Sequence, residues 1–200
     1  MKRLRRNEVI HERHSEFSPI LFDMLFGLLL FLGFDSFFDI RDAAHLVFYL
    51  ASTVAVLHWW LKYKAADDAY GLEVNNSALD LLFGIGEIVL LQMAMLAAAR
   101  AEYAAAITYF AMPLLLESVW ALLWRFFGRW KGSSAKRVLY MEQELDDTIF
   151  LNLGAAFVLG AIVFLSPFMT VPDVILSFVL AYVIYIAMTH RYGIIDVKLM

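Results

Sequence analysis

The sequence predicts an all-α, polytopic membrane protein with six transmembrane helices, and three observations lead to that fold class. Hydrophobic residues make up 62% of the 200-residue chain, against about 45–50% in a soluble domain. Charged residues make up only 18% and gather between long apolar runs, which is typical of a chain solvated by lipid. No apolar run alternates in polarity as a membrane-spanning strand would, so we expect helices to satisfy the backbone groups.

Six segments approach the roughly 20 apolar residues that a helix needs to cross a bilayer core of about 30 Å. They are Phe17–Phe34, Ala44–Leu61, Ala78–Ala99, Tyr103–Arg125, Asp147–Ser166 and Asp173–His190. Prolines mark several ends: Pro19 lies in the first turn of the first segment, Pro167 follows the fifth and Pro172 precedes the sixth. Pro113 lies inside the fourth segment, where we expect it to kink the helix.

Lysine and arginine divide unevenly between the two sides that these segments define. Of the 16 basic residues, 14 fall on one side, including Lys62, and only Arg41 and Arg100 fall on the other. The side rich in lysine and arginine is normally the cytoplasm. We therefore expect a single transmembrane domain in the cell membrane, or inner membrane, with both termini cytoplasmic and one long cytoplasmic loop over residues 126–146.

The chain shows signs of an internal repeat with halves at residues 17–99 and 103–190. Pro19–Asp23 and Pro113–Glu117 each consist of a proline, three apolar residues and an acid, at an offset of 94 residues (113 − 19). Two halves of three spans would form an inverted-topology repeat, which is a common plan among transporters. The alternative is that apolar helices of similar length align by chance.

Ionisable residues inside the segments carry the functional signal, because a charge at bilayer depth is costly and usually faces the bundle interior or a water-filled path. Glu87 and Glu117 lie near the middle of the third and fourth segments. Gly84, Ala94 and Ala98 share a helical face with Glu87, which should therefore point into a seam between helices. Within the segments we find no lysine or arginine that would neutralise either glutamate.

These residues predict the transport or conduction of a small cation, with proton coupling as one form of it. The predicted pathway residues are Glu87, Glu117, Asp23, Asn152 and His58, with Asp23 at one entrance and Asn152 as a neutral ligand. One alternative is that both glutamates are protonated and donate hydrogen bonds across helices. A second is a non-transporting scaffold that binds a partner protein through the loop 126–146.

The expected partners are membrane lipid and a small cation or proton, with no nucleic acid. A path inside one subunit and a pore on the axis of a homo-oligomer are both compatible with the sequence. A metal site is undecided: Asp35, Asp39, Asp42 and His45 have spacings of 4, 3 and 3 and would share one face if they were helical. A solvated acidic mouth that attracts cations explains the same residues.

We expect no enzyme activity and no cofactor. The chain has no cysteine, and it lacks the H-E-x-x-H, G-x-S-x-G and phosphate-loop motifs. His45 and His58 lie 13 residues apart on one segment, but haem ligation would need histidines on a facing segment, where only His190 remains.

Four short segments carry a resemblance to a known family. They are Ile20–Phe26, Trp59–Trp60, Asp67–Asp68 and Leu91–Ala94. Over about its first 125 residues the chain resembles the low-temperature-requirement A (LtrA) family of bacterial membrane proteins, although it is short for that family. The resemblance implies a polytopic helical protein without a well-defined biochemical activity.

The six-span plan is also similar to one repeat unit of the lysosomal-type potassium channel family. Those channels open with an Arg-Phe-Ser-Asp signature, and Glu16–Pro19 stands in its place here. That replacement puts the filter role of the first segment in doubt. Neither resemblance assigns a functional residue to this chain.

Overall fold

The computed structural model describes residues 17–70, 78–127 and 135–192. Within these ranges the side chains not described are those of residues 17–22, 33–36, 39, 65–70, 78–81, 127, 135–138, 140 and 141. The helices are α1 (Phe17–Asp35), α2 (Ala43–Tyr70), α3 (Ala78–Ala99), α4 (Tyr103–Phe127), α5 (Ala135–Leu165) and α6 (Val171–Arg191). Two short 3₁₀ turns, Ser36–Asp39 and Ser166–Phe168, follow α1 and α5. The all-α prediction is confirmed over the described ranges.

Five helices are long and apolar enough to cross a membrane. Their apolar stretches are Ala43–Lys64, Leu82–Ala99, Tyr103–Phe126, Glu142–Phe168 and Val171–Arg191. The first helix has 19 residues, and its described apolar stretch is the shorter Asp23–Leu32. The described residues therefore form a helical bundle suited to a membrane, with five helices that are long and apolar enough to cross it.

Consecutive helices run in opposite directions. At one end of the bundle, the His45 ring at the start of α2 lies 2.8 Å from the carbonyl oxygen of Ala98 at the end of α3. Near the same end, the Phe48 ring contacts Tyr103 and Phe178, which lie near the starts of α4 and α6. The helices α2, α4 and α6 therefore begin at one end of the bundle, as serial crossings of a bilayer require.

The turn between α3 and α4 is short because the helix ends in a compact C-cap. The amide of Glu102 donates to the carbonyl of Ala97 at 2.9 Å, and that of Ala101 donates to Ala98 at 3.1 Å, which together form a Schellman motif. Ala101 has a φ of 60°, a conformation that usually selects glycine. The cap turns the chain directly into α4 and places α3 and α4 side by side.

The beginning of α6 is also fixed locally. Thr170 and Asp173 form a capping box, and Pro172 occupies the first turn, where its missing N–H is not needed. In contrast, α4 continues through Pro113 as an unbroken helix. The proline deprives the carbonyl of Tyr109 of its usual helical donor, and the kink stays a prediction.

Much of the predicted cytoplasmic loop over residues 126–146 is helical. Helix α4 extends to Phe127 and α5 begins at Ala135, so residues 128–134, outside the described part, separate them. Arg125 holds the two helices together through Asp146 at 3.0 Å and Glu142 at 3.3 Å. The region predicted to bind a partner thus contains an ion-paired junction between α4 and α5.

Candidate functional site: a buried polar layer

An ion pair between α2 and α4 lies inside the bundle. The Lys62 Nζ donates to Glu117 Oε2 at 2.5 Å, and only 3% of the Lys62 side chain and 17% of the Glu117 side chain are exposed. The expectation that no lysine neutralises the glutamates is therefore wrong for Glu117. Lys62 was counted among the cations outside the membrane, but its long side chain turns inward and brings its ammonium to the carboxylate.

Two further side chains close a ring of hydrogen bonds around this pair. The Asn152 amide donates to the same Glu117 oxygen at 2.7 Å. The Tyr185 hydroxyl accepts from Lys62 at 2.7 Å and donates to the Asn152 carbonyl oxygen at 2.6 Å. The four residues come from α2, α4, α5 and α6 and form what we call the polar layer. The ammonium, the amide and the hydroxyl each donate to an acceptor within the ring, and such pairing lowers the cost of burying polar groups.

Aromatic rings provide a second contact for the ammonium. The Lys62 Nζ lies 4.5 Å from the centroid of the Trp59 ring and 5.3 Å from that of Tyr185. Both distances fall within the range of cation–π attraction, which is strongest where water is excluded. These rings hold the ammonium between α2 and α6 without supplying a counter-charge.

His58 lies one turn before Lys62 on α2 and extends the polar layer along α6. Its Nε2 is 3.1 Å from Thr189 Oγ1, whose own hydrogen goes to the carbonyl of Ile186 at 2.8 Å. Because the Thr189 oxygen is then left to accept, His58 Nε2 carries the proton and Nδ1 is the acceptor. The Tyr182 hydroxyl lies 3.5 Å from that Nδ1. His58 is thus a hydrogen-bonded member of the interior.

Glu87 is the second carboxylate of this region, contributed by α3. It lies within electrostatic range of both Glu117 and Lys62. It is partly buried and makes no hydrogen bond to a described residue. The α3–α4 seam beside it is tight, since a Cβ at Gly86 would lie 3.1 Å from a methyl carbon of Leu116. The structure therefore brings Glu87, Glu117, Asn152 and His58 to one region.

Asp23, the fifth predicted pathway residue, lies elsewhere. Its carboxylate accepts from the Trp60 indole at 2.8 Å and pairs with Lys64. Trp60 and Lys62 are two positions apart on α2, so they point to opposite sides of that helix, about 200° apart. Asp23 therefore belongs to a half-exposed pair on the α1 side of α2, separate from the polar layer.

A stripe of buried polar residues leads along α5 toward Asn152. Glu144, Thr148 and Asn152 are all buried, and their spacing of four residues places them on one face of the helix. The stripe covers about 12 Å at 1.5 Å per residue. It connects the polar layer with the end of the bundle at which Arg125 and Asp146 are paired.

The opposite half of the interior is aromatic. Phe48, Phe110 and Phe178 are fully buried. The ring centroid of Phe178 lies 5.1 Å from the ring centroid of Phe48 and 5.5 Å from that of Phe110. We call this cluster the aromatic half. It fills the space between α2, α4 and α6 on the far side of Tyr182 from the polar layer.

The proposed metal ligands do not share a helical face. Asp35 ends α1, Asp39 ends a 3₁₀ turn and His45 lies within α2, and the side chains of Asp35 and Asp39 lie outside the described residues. Asp42 accepts the His45 amide at 2.8 Å, and the His45 Nδ1 accepts the Arg41 amide at 3.3 Å. Among the described residues, no group of three or more histidine, aspartate or glutamate side chains is placed to hold a metal ion.

Lys62, Tyr185 and Thr189 were missed as members of the interior, although the sequence contains a signal for them. On α6, Phe178, Tyr182, Tyr185 and Thr189 are buried at spacings of 4, 3 and 4, which define one helix face. On α2, Lys62 follows buried His58 by four residues and so lies on the same face. Following those faces would have drawn a terminal lysine and a tyrosine hydroxyl into the core.

The fold and site together define a helical bundle that is compatible with a membrane and has a hydrogen-bonded ion pair in its interior. No protein-family model matches the chain, and comparisons with curated proteins and with solved structures find no relative. The geometry of the polar layer therefore carries the functional argument.

Proposed function

We propose that this chain transports or conducts a small cation through a path that includes Glu87 and Glu117. The observation that carries the proposal is an excess of carboxylate over ammonium in the bundle interior. Lys62 compensates Glu117, whereas Glu87 has no hydrogen-bond partner among the described residues. A carboxyl group at membrane depth without a directly paired cation is costly to ionise, and such groups are found where ions or protons move.

The polar stripe on α5 supplies a route to this site from one end of the bundle. Glu144 and Thr148 lead to Asn152, which bonds directly to Glu117. The aromatic half blocks the continuation toward the other end. Transport then requires the rings around Phe178 to separate while the stripe closes, which is an alternating-access scheme.

The membrane arrangement belongs to the same proposal: six spans, both termini in the cytoplasm and a 3+3 inverted repeat. Helix α1 packs antiparallel to α2, as a further crossing would, because its Asp23 meets Trp60 late in α2. Removing Lys62 from the count of loop cations leaves 13 on the proposed cytoplasmic side against 2 (14 − 1). The bias still favours cytoplasmic termini.

The test is ion flux in proteoliposomes, measured for potassium, sodium, divalent cations and protons. Glu87→Gln and Glu117→Gln should each suppress the flux, because each removes one carboxylate from the path. Glu102→Gln is the matched control, since Glu102 is exposed in the α3–α4 turn and should leave flux unchanged. Wild-type flux in both folded and inserted variants would contradict the proposal.

A non-transporting scaffold is the second candidate, and the pairing of Glu117 Oε2 with both Lys62 and Asn152 favours it. A buried, hydrogen-bonded ion pair can have the purely structural role of defining how four helices pack. This function predicts no flux from folded wild-type protein and partner recovery that depends on the α4–α5 junction. Deleting residues 128–134 would then abolish recovery of a partner in a pull-down while the bundle stays folded.

Kinship with the low-temperature-requirement A family or the lysosomal-type potassium channel family stays a proposal. It rests on the sequence segments named above and does not enter the flux argument.

A further inference from the structure

The charges in the interior can be counted, and the count limits what the site can hold. Among the described residues, those buried in or against the polar layer contribute one ammonium, Lys62, and two carboxylates, Glu117 and Glu87. With His58 neutral, the net charge of these groups is −1; we call it the interior sum. Asp23 and Lys64 cancel each other on the far side of α2, and Glu144 lies about 12 Å along α5 from Asn152.

We infer that the polar layer binds one unit of positive charge, a proton or a single alkali-metal cation, and rejects divalent cations. This inference rests on the proposed function and specifies its substrate class. A bundle interior of low dielectric constant favours the occupant that brings the local charge to zero. A divalent cation would convert −1 into +1 and leave the interior charged again.

The available ligands suit such an occupant. The carboxylate oxygens of Glu87 and Glu117, the carbonyl oxygen of Asn152 and the hydroxyl of Tyr185 are hard oxygen donors, which favour alkali and alkaline-earth cations over softer metals. The Asn152 and Tyr185 oxygens already participate in the ring. The Glu87 carboxylate takes no part in the ring and lies within electrostatic range of Glu117, and it is therefore the first point of attachment.

Lys62 acts in this scheme as a tethered cation that competes for the same oxygens. Its ammonium occupies Glu117 Oε2, the atom that Asn152 also holds. A mobile cation that reaches Glu117 displaces the ammonium, and Glu87 is the second carboxylate near enough to attract it. The two carboxylates thus share two cations, one fixed to the chain and one mobile.

The decisive variant is Lys62→Gln, which changes the interior sum from −1 to −2. It should gain binding of one divalent cation, measured with Mg²⁺ and Ca²⁺ by calorimetry and by the thermal shift of the detergent-solubilised protein. Lys62→Gln/Glu87→Gln returns the sum to −1 and should lose that divalent binding. Lys62→Arg keeps the charge and should behave as the wild type does.

Wild-type protein should bind one sodium, potassium or proton per chain and show no specific shift with Mg²⁺ or Ca²⁺. N-methylglucamine chloride at equal ionic strength serves as the blank. If the occupant is a proton, acidification stabilises the protein and alkali salts do not; if it is an alkali cation, salts stabilise it at constant pH. Tight divalent binding by the wild type would overturn the inference.

Glu117→Gln keeps the test decisive if Lys62→Gln does not fold. It sets the sum to zero, so binding of any cation should disappear; binding that persists would overturn the inference. Flux separates this inference from the proposed function. If the wild type binds one monovalent cation but shows no flux, transport is contradicted and the inference about charge stands. If it carries divalent cations, the inference about charge is contradicted and transport stands.

Discussion

The two halves of the bundle interior are built on the same helices by different chemistry. In the aromatic half, Phe48 on α2, Phe110 on α4 and Phe178 on α6 pack ring against ring. In the polar layer, Lys62, Glu117 and Tyr185 from those same helices meet with Asn152 of α5. The first half needs only shape and volume, whereas the second needs each donor to face an acceptor.

This difference makes the halves unequal in what they tolerate. A ring can be replaced by another apolar side chain of similar volume with little loss. A charge in the polar layer cannot lose its partner without leaving the other charge buried and uncompensated. The two halves therefore differ in chemistry as well as in tolerance: the aromatic half packs apolar rings, and the polar layer pairs buried charges.

The largest expected effect is the loss of Lys62. Lys62→Met should lower the free energy of unfolding by about 3–5 kcal/mol, because Glu117 keeps its buried charge without its counter-ion. The measurement is chemical unfolding in detergent, with N-methylglucamine as the buffer cation. The double variant Lys62→Met/Glu117→Met should recover most of the loss, and a double variant as unstable as the single one would contradict this account.

Removing a ring from the aromatic half should cost slightly less. Phe178→Ala leaves a cavity between α2, α4 and α6, and we expect a loss of about 3 kcal/mol. Cation binding by the solubilised protein should be retained, because no ligand oxygen is touched. Phe178→Leu is the volume-matched control and should lose less than half as much. Equal loss of cation binding in Phe178→Ala and Glu117→Gln would show that the halves are not separate.

Within the polar layer, the Tyr185 hydroxyl can be deleted without changing the charge. Tyr185→Phe removes the acceptor of Lys62 and the donor to Asn152, and should cost about 1–3 kcal/mol. Flux should fall without a change in the number of cations bound, since the sum stays at −1. Tyr109→Phe removes the hydroxyl of a half-buried tyrosine outside the polar layer and is the control. A comparable loss of stability in that variant would mean that the ring of hydrogen bonds adds no stability.

The smallest effect is expected on the other side of α2. Lys64→Met breaks the half-exposed pair with Asp23, which should cost less than about 1 kcal/mol. Its flux should match that of the wild type, because Asp23 is separated from the polar layer by α2. A strong loss of flux in Lys64→Met would instead support the prediction that Asp23 lies at an entrance to the cation path. Lys62 and Lys64 thus form a matched pair of the same residue type, two positions apart on one helix.

Much of the helical plan could be predicted from the sequence. The segment Ala78–Ala99 coincides with α3. The segment Asp147–Ser166 lies within α5 except for its last residue, which begins the following 3₁₀ turn. Lipid requires a continuous apolar stretch of a set length, and such a stretch is visible in the composition alone. The same reasoning identified Glu87 and Glu117, because carboxylates are conspicuous in an apolar run.

The partners of those carboxylates could not be predicted in the same way. Lys62 lies close to the end of its apolar stretch, where a lysine usually extends outward to water. Whether it does so depends on the neighbouring helices, and here α4 and α6 offer it Glu117 and Tyr185. For a related reason the metal candidates do not lie on one continuous helix, since the chain leaves the helix between Asp35 and His45.

The sequence by itself determined that the helices are apolar enough for lipid, where the long helices lie, and that carboxylates interrupt their apolar runs. Each of these follows from local hydrophobicity, which is summed along the chain and needs no knowledge of neighbours. The tertiary structure alone decided that Lys62 faces Glu117 rather than water, that Asn152 and Tyr185 complete the ring, and that Asp23 stays apart. Those outcomes depend on which helix faces meet, because a buried charge is stabilised only by groups that packing brings within a few ångströms.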